Sequence, residues 1–155
     1  MKIRIVALGL RMPAWVDAAV DEYVRRLPRE FGCELIELRP EPRDRGRSVA
    51  QMLGAEARRI SAVTEGWRTV ALDEHGEAWT TATLASRIRQ WRDRAENVAF
   101  VIGSADGLAA EIKRDADVIV ALSALTLAHG VARVLLAEQL YRAASMIGGH
   151  PYHRA

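Results

Sequence analysis

The sequence lacks most features that define the common enzyme and membrane-protein classes. Its 155 residues include a single cysteine, Cys33, which excludes an internal disulfide and indicates a reducing compartment, the cytoplasm. No apolar run approaches the roughly 18 residues that span a membrane, so no membrane partner is expected. The nucleotide motifs G-x-x-x-x-G-K-[ST] and G-x-G-x-x-G, the zinc motif H-E-x-x-H and the hydrolase elbow G-x-S-x-G are also absent.

The sequence also has few lysines and few histidine or cysteine residues that could bind a metal ion. The 22 basic residues are 20 arginines and two lysines, at a net charge of +2. This bias is consistent with a GC-rich genome or with affinity for phosphate, which the planar guanidinium suits better than an ammonium. His150 and His153 have no acidic or cysteine neighbour in the sequence, so we expect no metal site. Cys33 begins an apolar run and is predicted to pack in the core.

What is present is an alternation of strand-like and helix-like patterns. Strands are predicted at 2–8, 33–38, 69–73, 98–102 and 118–122, and helices at 13–28, 49–63, 84–91 and 130–147, with a short helix between the last two strands and an exposed loop at 39–47. Apolar strands separated by amphipathic helices predict an α/β fold. We therefore predict one domain over residues 1–155, with a mostly parallel sheet of five to six strands and helices on both faces.

Glycine or small polar residues follow three of the predicted strands. They come after Leu72-Asp73, at Ile102-Gly103 and after Leu122-Ser123. Ligands of such sheets bind beyond the carboxyl ends of the strands, and glycine lets the backbone approach them closely. The three ends together favour a pocket, although each alone is typical of an ordinary turn.

The last third of the chain places polar residues where a plain core would have none. On the predicted helix 130–147, Arg133, Glu138 and Arg142 lie off the apolar face, and Glu138 precedes Arg142 by the four residues that favour an ion pair. His129 and Arg133 share one face at the start of the helix, where free amides attract anions. The tail adds Tyr152, His153 and Arg154, a combination that single-stranded RNA recognition uses for stacking and phosphate pairing.

These segments resemble a known family. GSADGL, LSALTLAHGVARVLLAEQLYRA and HPYHR, together with VALGLRMPAWV, EYVRRLPRE and LDEHGEAW, are similar to the ribosomal large-subunit methyltransferase H family of the knotted SPOUT superfamily. The resemblance implies methyl transfer from S-adenosylmethionine to N3 of a pseudouridine in 23S rRNA of the assembled ribosome. It also implies a homodimer and a C-terminal trefoil knot, which nothing in the hydrophobic pattern predicts.

The resemblance also implies functional positions in this chain. The cofactor positions are Leu72, Gly103, Leu122, Ser123, Ala124, Leu125, Thr126 and Leu127. The substrate-side positions are His129, Arg133, Glu138, Arg142, Tyr152, His153 and Arg154. Tyr152 and Arg154 are assigned to holding the nucleotide, and His153 to proton handling or phosphate contact. Two other functions stay open: a ribosome-binding or assembly factor that lost the chemistry, and a flavodoxin-like small-molecule binder without RNA.

Two departures from the family pattern affect the predicted site. The chain reads Gly103-Ser104 where the family commonly has two glycines, and LAHGVAR where it has an LPHPLVR-like stretch. Ser104 adds a side chain beside the cofactor loop. Gly130 predicts a loosened start of the last helix.

Overall fold

The computed structural model describes residues 1–43 and 46–154, so the predicted loop at 39–47 falls partly outside the described residues. The chain alternates strands and helices, as the sequence predicts. The elements are β1 (Lys2–Leu8), α1 (Ala14–Arg26), β2 (Gly32–Leu38), α2 (Val49–Thr64), β3 (Arg68–Ala78), α3 (Thr81–Asp93), β4 (Val98–Ile102), α4 (Ala110–Asp115), β5 (Val118–Ala121), α5 (His129–Ile147) and a closing 3-10 turn (Pro151–Arg154).

The five strands form one sheet in the order β2-β1-β4-β3-β5, and every pairing is parallel. Parallel strands that are covered on both faces must be apolar throughout, which explains why all five residues of β4, VAFVI, are buried. The α/β class and the parallel sheet are confirmed. The trefoil knot stays a prediction.

Alternate residues of each strand point to opposite faces and so build two cores. Ile3 and Ile5 of β1 face a core shared with α1, α3 and α5, whereas Val6 and Leu8 face a core shared with α2 and α4. Helices therefore cover both faces, as predicted. Because β3 leads into α3 and β4 into α4, the connections that leave these neighbouring strands diverge to opposite faces. Such divergence opens a crevice at the carboxyl edge of the sheet.

β3 corrects the prediction of a compact strand ending at Asp73. The strand continues to Ala78, and both Leu72 and Glu77 pair with Val120, so the intervening four residues bulge out of the ladder. A Cβ on Gly76 would lie 2.6 Å from the Val120 nitrogen, so only glycine fits where the bulge returns to β5. Leu72 therefore begins a bulge within β3 instead of ending the strand.

Two predicted side-chain positions differ in the structure. The apolar periodicity of the helix at 49–63 predicts that Val49 faces inward, but Val49 is 49% exposed at the start of α2. Arg133 was placed on the polar side of α5 but is completely buried. Gly130 has a packing role that the sequence did not predict: a Cβ there would lie 2.9 Å from Cγ2 of Val16, so glycine lets α5 pack closely on α1, and the loosened start of α5 stays a prediction.

Cys33 packs against the first core, as predicted. Burial, followed by the nearby charge of Glu34, raises the pKa of its thiol to about 12. The thiol is therefore protonated at neutral pH and is a poor nucleophile.

Candidate active site

A cavity of about 510 Å³ lies at the carboxyl edge of the sheet, where the loops after β4 and β5 meet the bulge of β3. This volume is within the range of small-molecule sites. Seven of the eight predicted cofactor positions line it: Leu72, Gly103, Leu122, Ser123, Leu125, Thr126 and Leu127. Ala124 is not among the lining residues. The structure thus brings the three predicted segments together.

The turn after β4, Gly103–Gly107, forms one wall of this cavity and is tightly folded. The Gly107 amide donates to the Ser104 carbonyl at 2.9 Å, and Gly107 has a φ of +80°. A Cβ on Gly103 would lie 2.5 Å from the Gly107 carbonyl carbon, so the turn closes only around a glycine. At Gly103 the backbone itself therefore lines the cavity.

The loop after β5 forms the opposite wall and is tied to the β3 bulge. The Ser123 hydroxyl accepts from the Leu125 amide at 2.9 Å, and the Thr126 hydroxyl donates to Glu74 at 3.0 Å. Leu125 is 76% exposed at the rim. These contacts fix the loop while leaving an apolar side chain free to cover a ligand.

The charges around the cavity are mainly acidic. Asp73, Glu74 and Asp106 line it, while the Lys113 ammonium lies 3.2 Å from Asp73 and the Arg43 guanidinium pairs with Asp106 at 2.7 Å. Burial alone would raise the pKa of Asp73, but the backbone N–H of His75 and the Lys113 ammonium outweigh it and hold this pKa below its ordinary value. Asp73 is thus ionised at neutral pH, and the cavity suits a ligand that carries positive charge.

A buried network of Arg133 and His129 supports the turn from behind. Arg133 donates to Nε2 of His129 at 2.8 Å, to Glu37 at 2.5 Å and to the Gly9 carbonyl at 2.7 Å. Because Nε2 of His129 is an acceptor, its ring proton sits on Nδ1, which donates to the Gly103 carbonyl at 2.9 Å. Both ring nitrogens are therefore occupied, and the network joins the ends of β1, β2 and β4.

We expect His129 to make the fold acid-sensitive. Burial, and then the charge of Arg133, lower the pKa of His129 below its ordinary value of 6.5. The unfolded chain then binds this proton at a higher pH than the folded chain. The stabilisation is fully present above pH 6.5 and is lost as the pH falls toward the folded-state pKa.

The measurement is urea unfolding at several pH values on either side of this range. His129→Gln cannot be protonated and should flatten the pH dependence of the free energy of unfolding, whereas His150→Gln, at an exposed position, should leave it as in the wild type. An unchanged slope in His129→Gln would contradict the prediction.

The tail folds back on α5 and forms a second polar cluster. The Tyr152 hydroxyl donates to Glu138 at 3.2 Å, the Arg142 guanidinium lies 4.8 Å from the centre of the Tyr152 ring, and the Tyr141 ring lies 4.6 Å from that of Tyr152. Burial, with Tyr23 and Glu138 close by, raises the pKa of Tyr152 to about 12. The predicted Glu138–Arg142 ion pair is present at 2.8 Å.

The cavity and the tail cluster lie at different ends of α5. His129 begins the helix, and Glu138 and Arg142 follow nine and 13 residues later, which at 1.5 Å per residue is about 14 and about 20 Å. Among the described residues, none of the tail lines the cavity. Of the predicted substrate-side residues, only His129 reaches the cavity within one chain.

Sequence reasoning missed several residues around the cavity. Lys113 and Asp106 line it, and Glu37 holds Arg133. Asp106 could have been found because it belongs to the same GSADG turn as Gly103. The others carry no local signal, since their partners are distant in sequence.

Two general observations complete the description of the site. In the described part of the chain, no helix is long and apolar enough to cross a membrane. Among the same residues, no three His, Cys, Asp or Glu side chains are grouped to hold a metal ion.

Comparisons with known proteins agree with this geometry. The model of the family described as "Predicted SPOUT methyltransferase" matches residues 1–153. The chain is 52% identical over 156 aligned residues to a protein of Nitrosospira multiformis, and 51% identical to one of Burkholderia ambifaria, each named "Ribosomal RNA large subunit methyltransferase H" and each covered completely, as is this chain.

Solved structures support the fold alone. A putative methylase family protein from Neisseria gonorrhoeae aligns with a TM-score of 0.53 at 15% identity, covering 90% of this chain and 81% of that one. A probable methylase family protein from Haemophilus influenzae aligns with a TM-score of 0.56 at 14% identity, covering 97% and 69%.

Proposed function

Because the chain belongs to the SPOUT methyltransferase family, we propose that it methylates ribosomal RNA of the large subunit, with S-adenosylmethionine as the donor. The observation that carries the proposal is the cavity formed by the β3 bulge and the loops after β4 and β5 in a chain similar over its full length to methyltransferases of that name. A binding factor without chemistry is not favoured, since those relatives are named for the reaction.

The cavity fits this donor in size, polarity and charge. S-adenosylmethionine carries no phosphate, so it needs no glycine-rich phosphate loop. Leu72, Leu122 and Leu127 offer apolar walls for an adenine ring, and the glycine-bearing turn offers backbone amides and carbonyls. The carboxylates of Asp73 and Glu74 favour a cationic sulfonium. When bound, the donor supplies an electrophilic methyl group.

We propose the tail as the part of the protein that holds the RNA. Tyr152 offers a ring for base stacking, and the exposed Arg154 offers a guanidinium for a phosphate. Methylation at N3 of pseudouridine requires that N3 lose its proton, and we assign this proton to His153. His129 is a poor candidate for a base because both of its nitrogens are engaged. His129 instead donates a hydrogen bond to the Gly103 carbonyl.

The distance between the tail and the cavity suggests that two chains share one active site. We propose a homodimer in which the tail of one copy completes the cavity of the other. An apolar surface beside the start of α5 supports this: Trp15 of α1 is 57% exposed and Val131 of α5 is 42% exposed, on either side of the close contact between Val16 and Gly130. Exposed large apolar residues that cluster mark interaction surfaces.

The substrate also determines where the protein works. Methylation of the assembled ribosome places the enzyme in the bacterial cytoplasm. We therefore propose a cytoplasmic homodimer whose partner is 23S rRNA within the ribosome.

The test is methyl transfer to ribosomes from a strain that lacks the modification. We expect transfer of labelled methyl from S-adenosylmethionine to 23S rRNA, at a pseudouridine N3 identified by mass spectrometry of the digested RNA. Ribosomes from the modified strain serve as the control and should accept little label. Calorimetric binding of S-adenosylmethionine without any transfer would instead support a binding factor, and absence of binding would exclude the proposed cavity.

A further inference from the structure

A buried carboxylate of α2 contacts the turn that forms one wall of the cavity. Glu56 of α2 is only 2% exposed, and its oxygens accept three hydrogen bonds: from the Glu41 amide at 2.9 Å, from Arg43 at 3.0 Å and from the Ser104 hydroxyl at 2.8 Å. A buried carboxylate is tolerated only when its lone pairs are satisfied in this way. We call Glu41, Arg43, Glu56, Ser104 and Asp106 the Glu56 hub.

Two members of the hub, Ser104 and Asp106, belong to the turn that walls the cavity. Arg43 grips both of them, donating to the Ser104 hydroxyl at 2.9 Å and pairing with Asp106 at 2.7 Å. Arg43 also pairs with Glu56, which links these contacts to α2, and donates to the Glu41 carbonyl at 2.8 Å. The segment after β2 is itself held in place, because the Glu41 carboxylate pairs with Arg47 and Arg59.

The opposite end of the same turn is held by His129, whose Nδ1 donates to the Gly103 carbonyl. Between these supports the turn closes on itself through the hydrogen bond from the Gly107 amide to the Ser104 carbonyl, so contacts from outside the turn decide how it lies against the cavity. A wall that contacts its ligand through the backbone must be held in shape by its surroundings, because ordering it on binding weakens affinity. The hub supplies that restraint.

We propose that Arg43, Glu56 and Ser104 are positioning residues that set the affinity for the methyl donor by holding the Gly103–Gly107 turn in its binding conformation. This inference rests on the proposed function. The hydroxyl of Ser104 is the direct link between the turn and α2.

The first test measures by calorimetry how tightly the wild type and its variants bind S-adenosylhomocysteine, which the reaction does not consume. Ser104→Ala removes one hydrogen bond to each of two charged groups, so we expect its dissociation constant to rise on the order of tenfold. Ser104→Thr keeps a hydroxyl and should bind within about twofold of the wild type. Arg43→Gln, at a partly exposed position, should weaken binding as Ser104→Ala does.

A matched control distinguishes a specific effect on donor binding from a general loss of stability. Glu96→Gln disrupts a comparable cluster, in which Arg68 binds Glu96 and Asp117 at the amino edge of the sheet. Glu96→Gln should lower the melting temperature about as much as Ser104→Ala does. It should leave the dissociation constant for S-adenosylhomocysteine unchanged. In methyl transfer, Ser104→Ala should raise KM for the donor while kcat and KM for ribosomes stay within about twofold.

The outcomes are distinct. If the wild type binds S-adenosylhomocysteine and Ser104→Ala and Arg43→Gln bind it equally well, the positioning role is wrong while the proposed function stands. If Ser104→Thr fails like Ser104→Ala, the hydroxyl is not the link and the inference is also overturned. If the wild type itself does not bind, the proposed function fails and takes the inference with it.

Discussion

Arg133→Met is expected to lower the free energy of unfolding by about 2–3 kcal/mol, because it leaves buried hydrogen-bond acceptors without a donor, whereas the side chain of Glu37 is 35% exposed and can be solvated. The methionine fills much of the space but cannot donate, so the Gly9 carbonyl and Nε2 of His129 lose their partner, as does Glu37. Urea unfolding followed by circular dichroism measures the change.

Arg142→Met is the matched control on the same helix. Arg142 also pairs with a glutamate, but its side chain is 23% exposed, so the loss should be about 1 kcal/mol or less. Equal losses in the two variants would show that the burial of Arg133 contributes nothing. Arg133→Met should also raise the pKa of His129, since the neighbouring positive charge that helps to lower it is gone. An NMR titration of the ring follows that change.

The double variant Tyr152→Ala with Arg154→Ala is expected to abolish most methyl transfer while leaving donor binding intact. Loss of base stacking costs about 1–3 kcal/mol, and loss of a phosphate contact about 1.5–3 kcal/mol. Together they predict a fall in kcat/KM for ribosomes of about a hundredfold or more. Donor affinity should persist because the tail lines no part of the described cavity.

The controls for this variant keep one property at a time. Tyr152→Phe retains the ring but loses the bond to Glu138, and Arg154→Lys retains the charge, so each should keep most of the activity. Transfer to ribosomes and calorimetric binding of S-adenosylhomocysteine are measured in parallel. A parallel loss of binding and transfer in the double variant would show that the tail stabilises the fold instead of holding RNA.

The parts of the fold that could be predicted are those with a local signal. The apolar run of β4 and the amphipathic α3 follow from periodicity, and Gly103 marks a close approach of backbone. The order of the strands could not be predicted, because the pairing of β1 with β4 joins segments almost a hundred residues apart. The return of β3 after its bulge was hidden for a similar reason, since it depends on β5.

The candidate site shows the same division. The cavity-lining loops were found because strand ends carry recognisable residues. The burial of Arg133 could not be predicted, because an arginine on a helix normally indicates a solvated face. Its partners Gly9 and Glu37 are 124 and 96 residues away in the sequence. Glu56 likewise is a residue type normally found at the surface, and its burial depends on donors that are distant in sequence, Glu41, Arg43 and Ser104.

The long reach of Arg133 has a consequence for the speed of folding. Arg133 and the Gly9 carbonyl that it binds are 124 residues apart, so their hydrogen bond forms only when the ends of β1 and α5 have been brought together. Contacts between such distant residues cost loop-closure entropy before they contribute stability, and they slow folding. We therefore expect this domain to refold more slowly than a domain of the same size built from local contacts.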